Sequence, residues 1–166
     1  IVAGGVAIAA VQLVSGMDFV SESVRSGGTK YEFSATFSFP PENLLTLISP
    51  DALGPMSAPQ GTPPPDVYFG RCYLWEVSLF VSVTGLVLAI YGACTASWRT
   101  RRGAGIMIVV CFIFALGAHT PLHRFLYDHL PGFASFRGSV KFNYLVALFL
   151  ALLAACGFDR LLRAGR

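Results

Sequence analysis

Charge is the first thing this sequence lacks. Only 13% of its 166 residues are Asp, Glu, Lys or Arg, against about 25% in soluble domains. So little polar surface cannot cover a water-facing exterior, which excludes an ordinary soluble domain. Cysteine is sparse too. Cys94, Cys111 and Cys156 lie within apolar runs and Cys72 near an interface, with no CxxC pair or evenly spaced framework. Buried free thiols acting as small hydrophobes are therefore expected. No basic leader precedes the first apolar run, so the signature of a signal peptide is missing. The net charge is only +3. The arginines cluster where lipid headgroups account for them, and no nucleic-acid partner is expected.

Apolar residues are what the chain has in excess: 54% are hydrophobic and the mean hydropathy is +0.62. The expected fold is an all-α polytopic membrane protein with four transmembrane helices at about 1–16, 74–97, 103–118 and 141–160. Crossing the hydrocarbon takes roughly 20 residues at about 1.5 Å each. The second and fourth runs reach that length with their flanks. The third is short and needs local thinning, flanking residues or neighbouring protein. The first begins in mid-run, which predicts a truncated span and a fragment of a larger bundle. Trp75 and Trp98 are 23 residues apart, about 35 Å along a helix. That separation suits two interfacial anchors bracketing the second span.

Basic residues set the orientation. Arg99, Arg101 and Arg102 are read as the short turn between the second and third spans, and Arg160, Arg163 and Arg166 follow the fourth. Such concentrations mark the cytoplasmic side. The C-terminus is expected in the cytoplasm, with the loops 17–73 and 119–140 outside.

Those loops carry the features that point beyond membrane residence. Tyr31, Phe33, Ala35, Phe37 and Phe39 alternate with polar residues, the period of a strand with one buried face. Pro40 to Pro50 reads as a short helix, with Glu42 near its positive end and its leucines on the membrane surface. Gly54 to Asp66, with Pro63-Pro64-Pro65, reads as a stiff connector. In the second loop, Thr120 and Pro121 can open a helix whose Leu122, Phe125, Leu126 and Leu130 form an interfacial stripe. His119 and His123 have the four-residue spacing of some metal pairs, but no HExxH signature accompanies them. Surface histidines are the preferred reading, and no metal ligand is assigned. Arg137 and Lys141 are outward cations close to the membrane. They suit either a lipid phosphate or simple snorkelling to headgroups.

Several segments together resemble the YfhO-like bacterial membrane proteins, which are grouped with the C-type glycosyltransferases. They are FSFPPENLLTLISPDALG (37–54), Tyr68-Phe69-Gly70, LGAHTPLHRFLYDHLPGFASFR (116–137) and GFDRLL (157–162), with Ser23-Val24-Arg25 after the first run. The resemblance covers roughly Gln12 to Leu162. The family's usual Arg-x-Pro-x-Arg stands here as Arg137-Gly138-Ser139-Val140-Lys141.

That resemblance implies an enzyme of the bacterial inner membrane that moves a sugar from a polyprenyl-phosphate carrier to a cell-envelope acceptor on the outer face. Membrane lipids, the lipid-linked sugar and that acceptor are the implied partners. No cofactor is fixed by the residues, and a divalent metal is compatible with the chemistry. Such transfer needs a carboxylate to activate the acceptor hydroxyl and cations for the departing phosphate. In the related enzymes the principal carboxylate lies in the first outer loop, so the catalytic residue is expected outside this chain, with Glu22 as a secondary candidate. Arg25, Arg137 and Lys141 are the candidates for phosphate binding. A transporter or lipid-flipping protein, and a non-catalytic membrane scaffold, are the alternative classes. The almost wholly apolar mid-span positions speak against the transporter.

Overall fold

The helices form where apolar runs meet usable caps. A computed structural model describes residues 30–57, 66–131 and 133–165, together with positions 10, 14, 16, 19 and 63. Apart from those isolated positions the expected first span lies outside the described residues, as do Glu22 and Arg25. In chain order come α1 (Tyr31–Ser34), a 3-10 helix (Pro41–Leu47), α2 (Leu74–Val77), α3 (Val83–Thr95), α4 (Trp98–Leu116), α5 (Pro121–His129) and α6 (Asn143–Ala164). Short 3-10 turns at Gly117–His119, Phe133–Ser135 and Ser139–Phe142 link the later helices. No strand occurs among the described residues.

Two of the described helical segments are long and apolar enough to cross a membrane: Trp98–His119, of 22 residues, and Ser139–Ala164, of 26. Only 22% and 17% of their most apolar stretches are buried within the protein. The core helix of a soluble domain would be mostly buried, so this outward apolar surface is suited to lipid or to further helices.

α6 is the central helix and packs along both α3 and α4, whereas α3 and α4 touch little although only two residues join them. Glycine sets the closest contact. A Cβ on Gly92 of α3 would overlap the Leu153 carbonyl oxygen, and a Cβ on Gly157 of α6 would overlap the Leu88 carbonyl oxygen. The two backbones therefore meet directly and run parallel, each glycine facing the carbonyl four residues before the other. This is the small-residue packing that lets membrane helices associate through backbone contact and weak Cα–H···O bonds. α4 runs antiparallel to α6: Ala104 packs near Leu153, and Ala115 near Val140 and Val146. Arg99, Arg101 and Arg102 thus share one end of the assembly with Arg160 and Arg163. The described parts of both loops occupy the other end.

Several sequence expectations need correction. Residues 31–39 do not form a strand. α1 is followed by a turn, Phe37 adopts φ 61°, and only then does the chain extend to Phe39. Ser34, Ser38 and Phe39 are the buried positions, not the alternating aromatic set. The segment from Pro40 to Pro50 is helical, but as 3-10 over Pro41–Leu47, with Leu44, Leu45 and Ile48 exposed.

The second expected span is not one helix. Ser78 to Ser82 break it, and α3 alone is about 20 Å long against a hydrocarbon core of about 30 Å. Trp75 and Trp98 are therefore not separated by continuous helix. The arginines expected in a turn lie within α4, because Ser97 caps that helix by accepting from the Thr100 amide at 3.2 Å. The third span is correspondingly longer than its apolar run. Among the thiols, Cys72 and Cys111 are buried, but Cys94 is exposed and Cys156 half-buried.

The backbone contact makes a sharp prediction. Gly92→Ala or Gly157→Ala should lower the unfolding temperature in detergent, at a cost of about 1–3 kcal/mol from forced overpacking. Gly103→Ala, with open space around its Cβ, should be neutral or stabilising by about 0.5–1 kcal/mol. Equal effects at the three sites would contradict the parallel glycine contact.

Candidate functional site

The loop-bearing end of the helices is closed by hydrogen bonds between segments far apart in sequence. The last carbonyls of a helix have no partner within it. Here the Phe39 amide donates to the Ala115 carbonyl at 2.8 Å. The Ser38 hydroxyl accepts from the Ala118 amide at 2.9 Å and donates to the Ala35 carbonyl at 2.8 Å. The Val140 amide donates to the Phe37 carbonyl at 3.1 Å, and the Ser34 hydroxyl to the Phe136 carbonyl at 3.0 Å. Gly117, at φ 49°, has no room for a Cβ between the Ser38 and Ser139 hydroxyls. Phe39 is fully buried and meets Phe112 edge-on at 5.5 Å.

The break at 78–82 is treated in the same way. The Leu79 amide donates to the Thr46 hydroxyl at 3.0 Å, and Asn143 Nδ2 donates to the Ser78 carbonyl at 3.4 Å. Arg71 holds the Glu42 carboxylate through two hydrogen bonds of 2.7 and 2.8 Å. That pairing keeps the Glu42 carboxyl below its ordinary pKa.

These closures leave a cavity of about 340 Å³ between the C-terminal end of α4 and the N-terminal end of α6, roofed by α5. Its wall is mainly apolar, with Ile113 and Phe114 from α4, Leu122 and Leu126 from α5, and Phe136 and Phe142 from the connecting loop. Arg137 and Lys141 also line it, and both are exposed. The structure thus brings together two of the residues expected to bind phosphate. Neither makes an ion pair among the described residues, and no Asp or Glu lines the cavity.

Arg137 is nevertheless held in place. Its guanidinium lies 4.8 Å from the Phe33 ring centroid and 5.2 Å from that of Phe37. Phe37 stacks on Tyr73 at 5.5 Å, and Tyr73 on Trp75 at 4.7 Å. Stacking covers the faces of a guanidinium while its N–H donors lie in the plane, the arrangement suited to a phosphate. Lys141 is set by Gly138, whose left-handed backbone (φ 79°) starts the 3-10 turn Ser139–Phe142.

Sequence reasoning missed His123. It is not a surface histidine but 5% exposed, edge-on to Tyr31 at 5.6 Å and to Phe133 at 5.4 Å. Its Nδ1 has no partner among the described residues, and neither has the Ser139 hydroxyl. The missed signal was the period of α5, which places position 123 beside Leu122 and Leu126 on the inward face while Phe125 and Leu130 stay exposed. His119 lies apart from this wall, with its Nδ1 at 3.1 Å from the Leu116 carbonyl. No cluster of three or more His, Cys, Asp or Glu that could hold a metal occurs among the described residues.

Burial pushes the His123 pKa below 6.5. The unfolded chain takes up a proton near the ordinary value while the folded chain resists it, so stability falls as pH drops through 6.5 towards the folded value. The unfolding temperature should therefore fall between about pH 7.5 and about pH 5.5, and fall less in His123→Phe. Equal slopes in the two proteins would remove His123 from that account.

No family model, characterised protein or solved structure matches this chain.

Proposed function

We propose that this chain is part of a membrane glycosyltransferase that holds a polyprenyl-phosphate-linked sugar at its outer face for transfer to a cell-envelope acceptor. One observation carries the reading. Two cations without carboxylate partners among the described residues, Arg137 and Lys141, border a mostly apolar cavity between the ends of two membrane-length helices. An apolar wall suits an isoprenoid chain, and the cations suit its phosphate. The resemblance of residues 37–54 and 116–137 to YfhO-like proteins supports the same assignment. No carboxylate among the described residues lines the cavity, and Glu22 is the candidate for the acid–base group, with Arg25 as a further phosphate ligand.

In this reading the protein is a multi-pass component of the bacterial inner membrane. Its four spans, the C-terminus and the two arginine clusters follow the positive-inside distribution, with both loops outside. The loops pack against each other at the end of the helices opposite the arginines, which is consistent with that orientation. A second reading, a lipid-flipping protein, is favoured by one observation, the break between α2 and α3 at the cavity end. Interrupted helices of this kind occur in transporters.

Arg137→Ala and Lys141→Ala in the full-length protein should each weaken polyprenyl-phosphate binding in detergent about ten- to a hundred-fold, the loss of a charge-assisted contact. Unchanged binding would sink the phosphate role. In proteoliposomes, sugar transfer abolished by Arg137→Ala supports the enzyme. Lipid crossing without transfer supports the flipping protein. A reporter at the C-terminus should score as cytoplasmic, and an external score would reverse the orientation.

A further inference from the structure

We infer that His123 and Ser139 form the headgroup subsite of this cavity, reading hydroxyl groups on the sugar that the lipid phosphate carries. The inference rests on the lipid-phosphate reading above and adds a specificity-determining pair to it.

Two observations converge. His123 is only 5% exposed, and its Nδ1 has no hydrogen-bond partner among the described residues. The Ser139 hydroxyl is likewise buried and unpartnered, and both residues line the same cavity. Buried polar atoms without partners are rare and costly in folded proteins. Two of them on one wall, in a cavity that also has two unpaired cations, are accounted for by a ligand that hydrogen-bonds there.

The order of the elements says which part of the ligand that is. Ile113 and Phe114 belong to the membrane-length helix α4 and offer the apolar side. Arg137 and Lys141 flank the start of the membrane-length segment Ser139–Ala164, where a lipid phosphate would lie in this reading. His123 lies on α5, which follows α4 at its outer end, and so faces what extends beyond the phosphate. Its chemistry agrees. Burial keeps the imidazole neutral, so it offers a hydrogen bond rather than a charge. A serine hydroxyl both donates and accepts. Neutral groups that donate and accept match sugar hydroxyls, whereas a second phosphate would call for more cations. A cavity of about 340 Å³ lies at the small end of ligand sites, enough for a headgroup and the first part of a chain.

The test uses the full-length protein in detergent with two probes, polyprenyl phosphate and a polyprenyl-phosphate hexose. His123→Phe keeps the ring contacts with Tyr31 and Phe133 but removes the hydrogen bond. Its affinity for the hexose lipid should fall about five- to ten-fold more than its affinity for the bare phosphate lipid. Ser139→Ala should show the same selective loss and provides an independent variant if His123→Phe folds poorly. If both variants weaken the two probes by the same factor, or weaken neither, the subsite is overturned while the phosphate reading stands. If the unaltered protein binds neither probe, both readings fall together.

Discussion

The hydrogen bond from the Phe39 amide to the Ala115 carbonyl ties the long loop to the end of α4. A helix ending at the edge of a membrane leaves carbonyls that neither lipid nor the helix itself can satisfy. This chain meets that demand with its own long loop. Ser38 and Phe39 take the end of α4, Phe37 takes the Val140 amide, and Ser34 takes the Phe136 carbonyl. Two of these are backbone–backbone contacts and two use serine hydroxyls, so for these bonds the course of the loop depends on Ser34 and Ser38 but little on the side chains at 37 and 39. The cavity is the space left between pieces whose positions are set in this way.

That construction also explains how cations come to stand beside an apolar wall with no carboxylate partner among the described residues. Arg137 is steadied by the faces of Phe33 and Phe37 rather than by a carboxylate. A carboxylate partner would satisfy the guanidinium and compete with an anionic ligand. Aromatic faces restrain it and leave its donors free, so less side-chain freedom is lost on binding. The Arg71–Glu42 pair shows the contrast within the same face, where a bidentate carboxylate fully engages an arginine in a structural role.

Much of the helical class was legible in the sequence because lipid-scale apolar runs have few alternatives. The α4 and α6 runs, the Thr120-Pro121 start of α5 and the cations at 137 and 141 could all be read directly. What could not be read depends on contacts between distant segments. The period-two pattern of 31–39 suggests a strand only while its surroundings are unknown. In the fold, the Ser34 and Ser38 hydroxyls find carbonyl partners, and Phe33 and Phe37 serve Arg137 instead. The break at 78–82 is likewise invisible in an apolar run, because its cost is met by Thr46 and Asn143 from elsewhere. His123 was misread as exposed because burial of a polar ring is decided by Tyr31 and Phe133, neither of which is adjacent to it in sequence.

The column from Arg137 through Phe37 and Tyr73 ends at Trp75, and its consequence is optical. Indole emission responds to nearby charge and to ring stacking, and Trp75 sits two rings away from the guanidinium that a phosphate would neutralise. Trp98 stands at the opposite end of the helices beside Arg101 and provides a constant background. Trp75 is therefore placed to report optically on occupancy at Arg137. A phosphate-dependent signal that is lost in Trp75→Phe and kept in Trp98→Phe would place the occupied site without any added label.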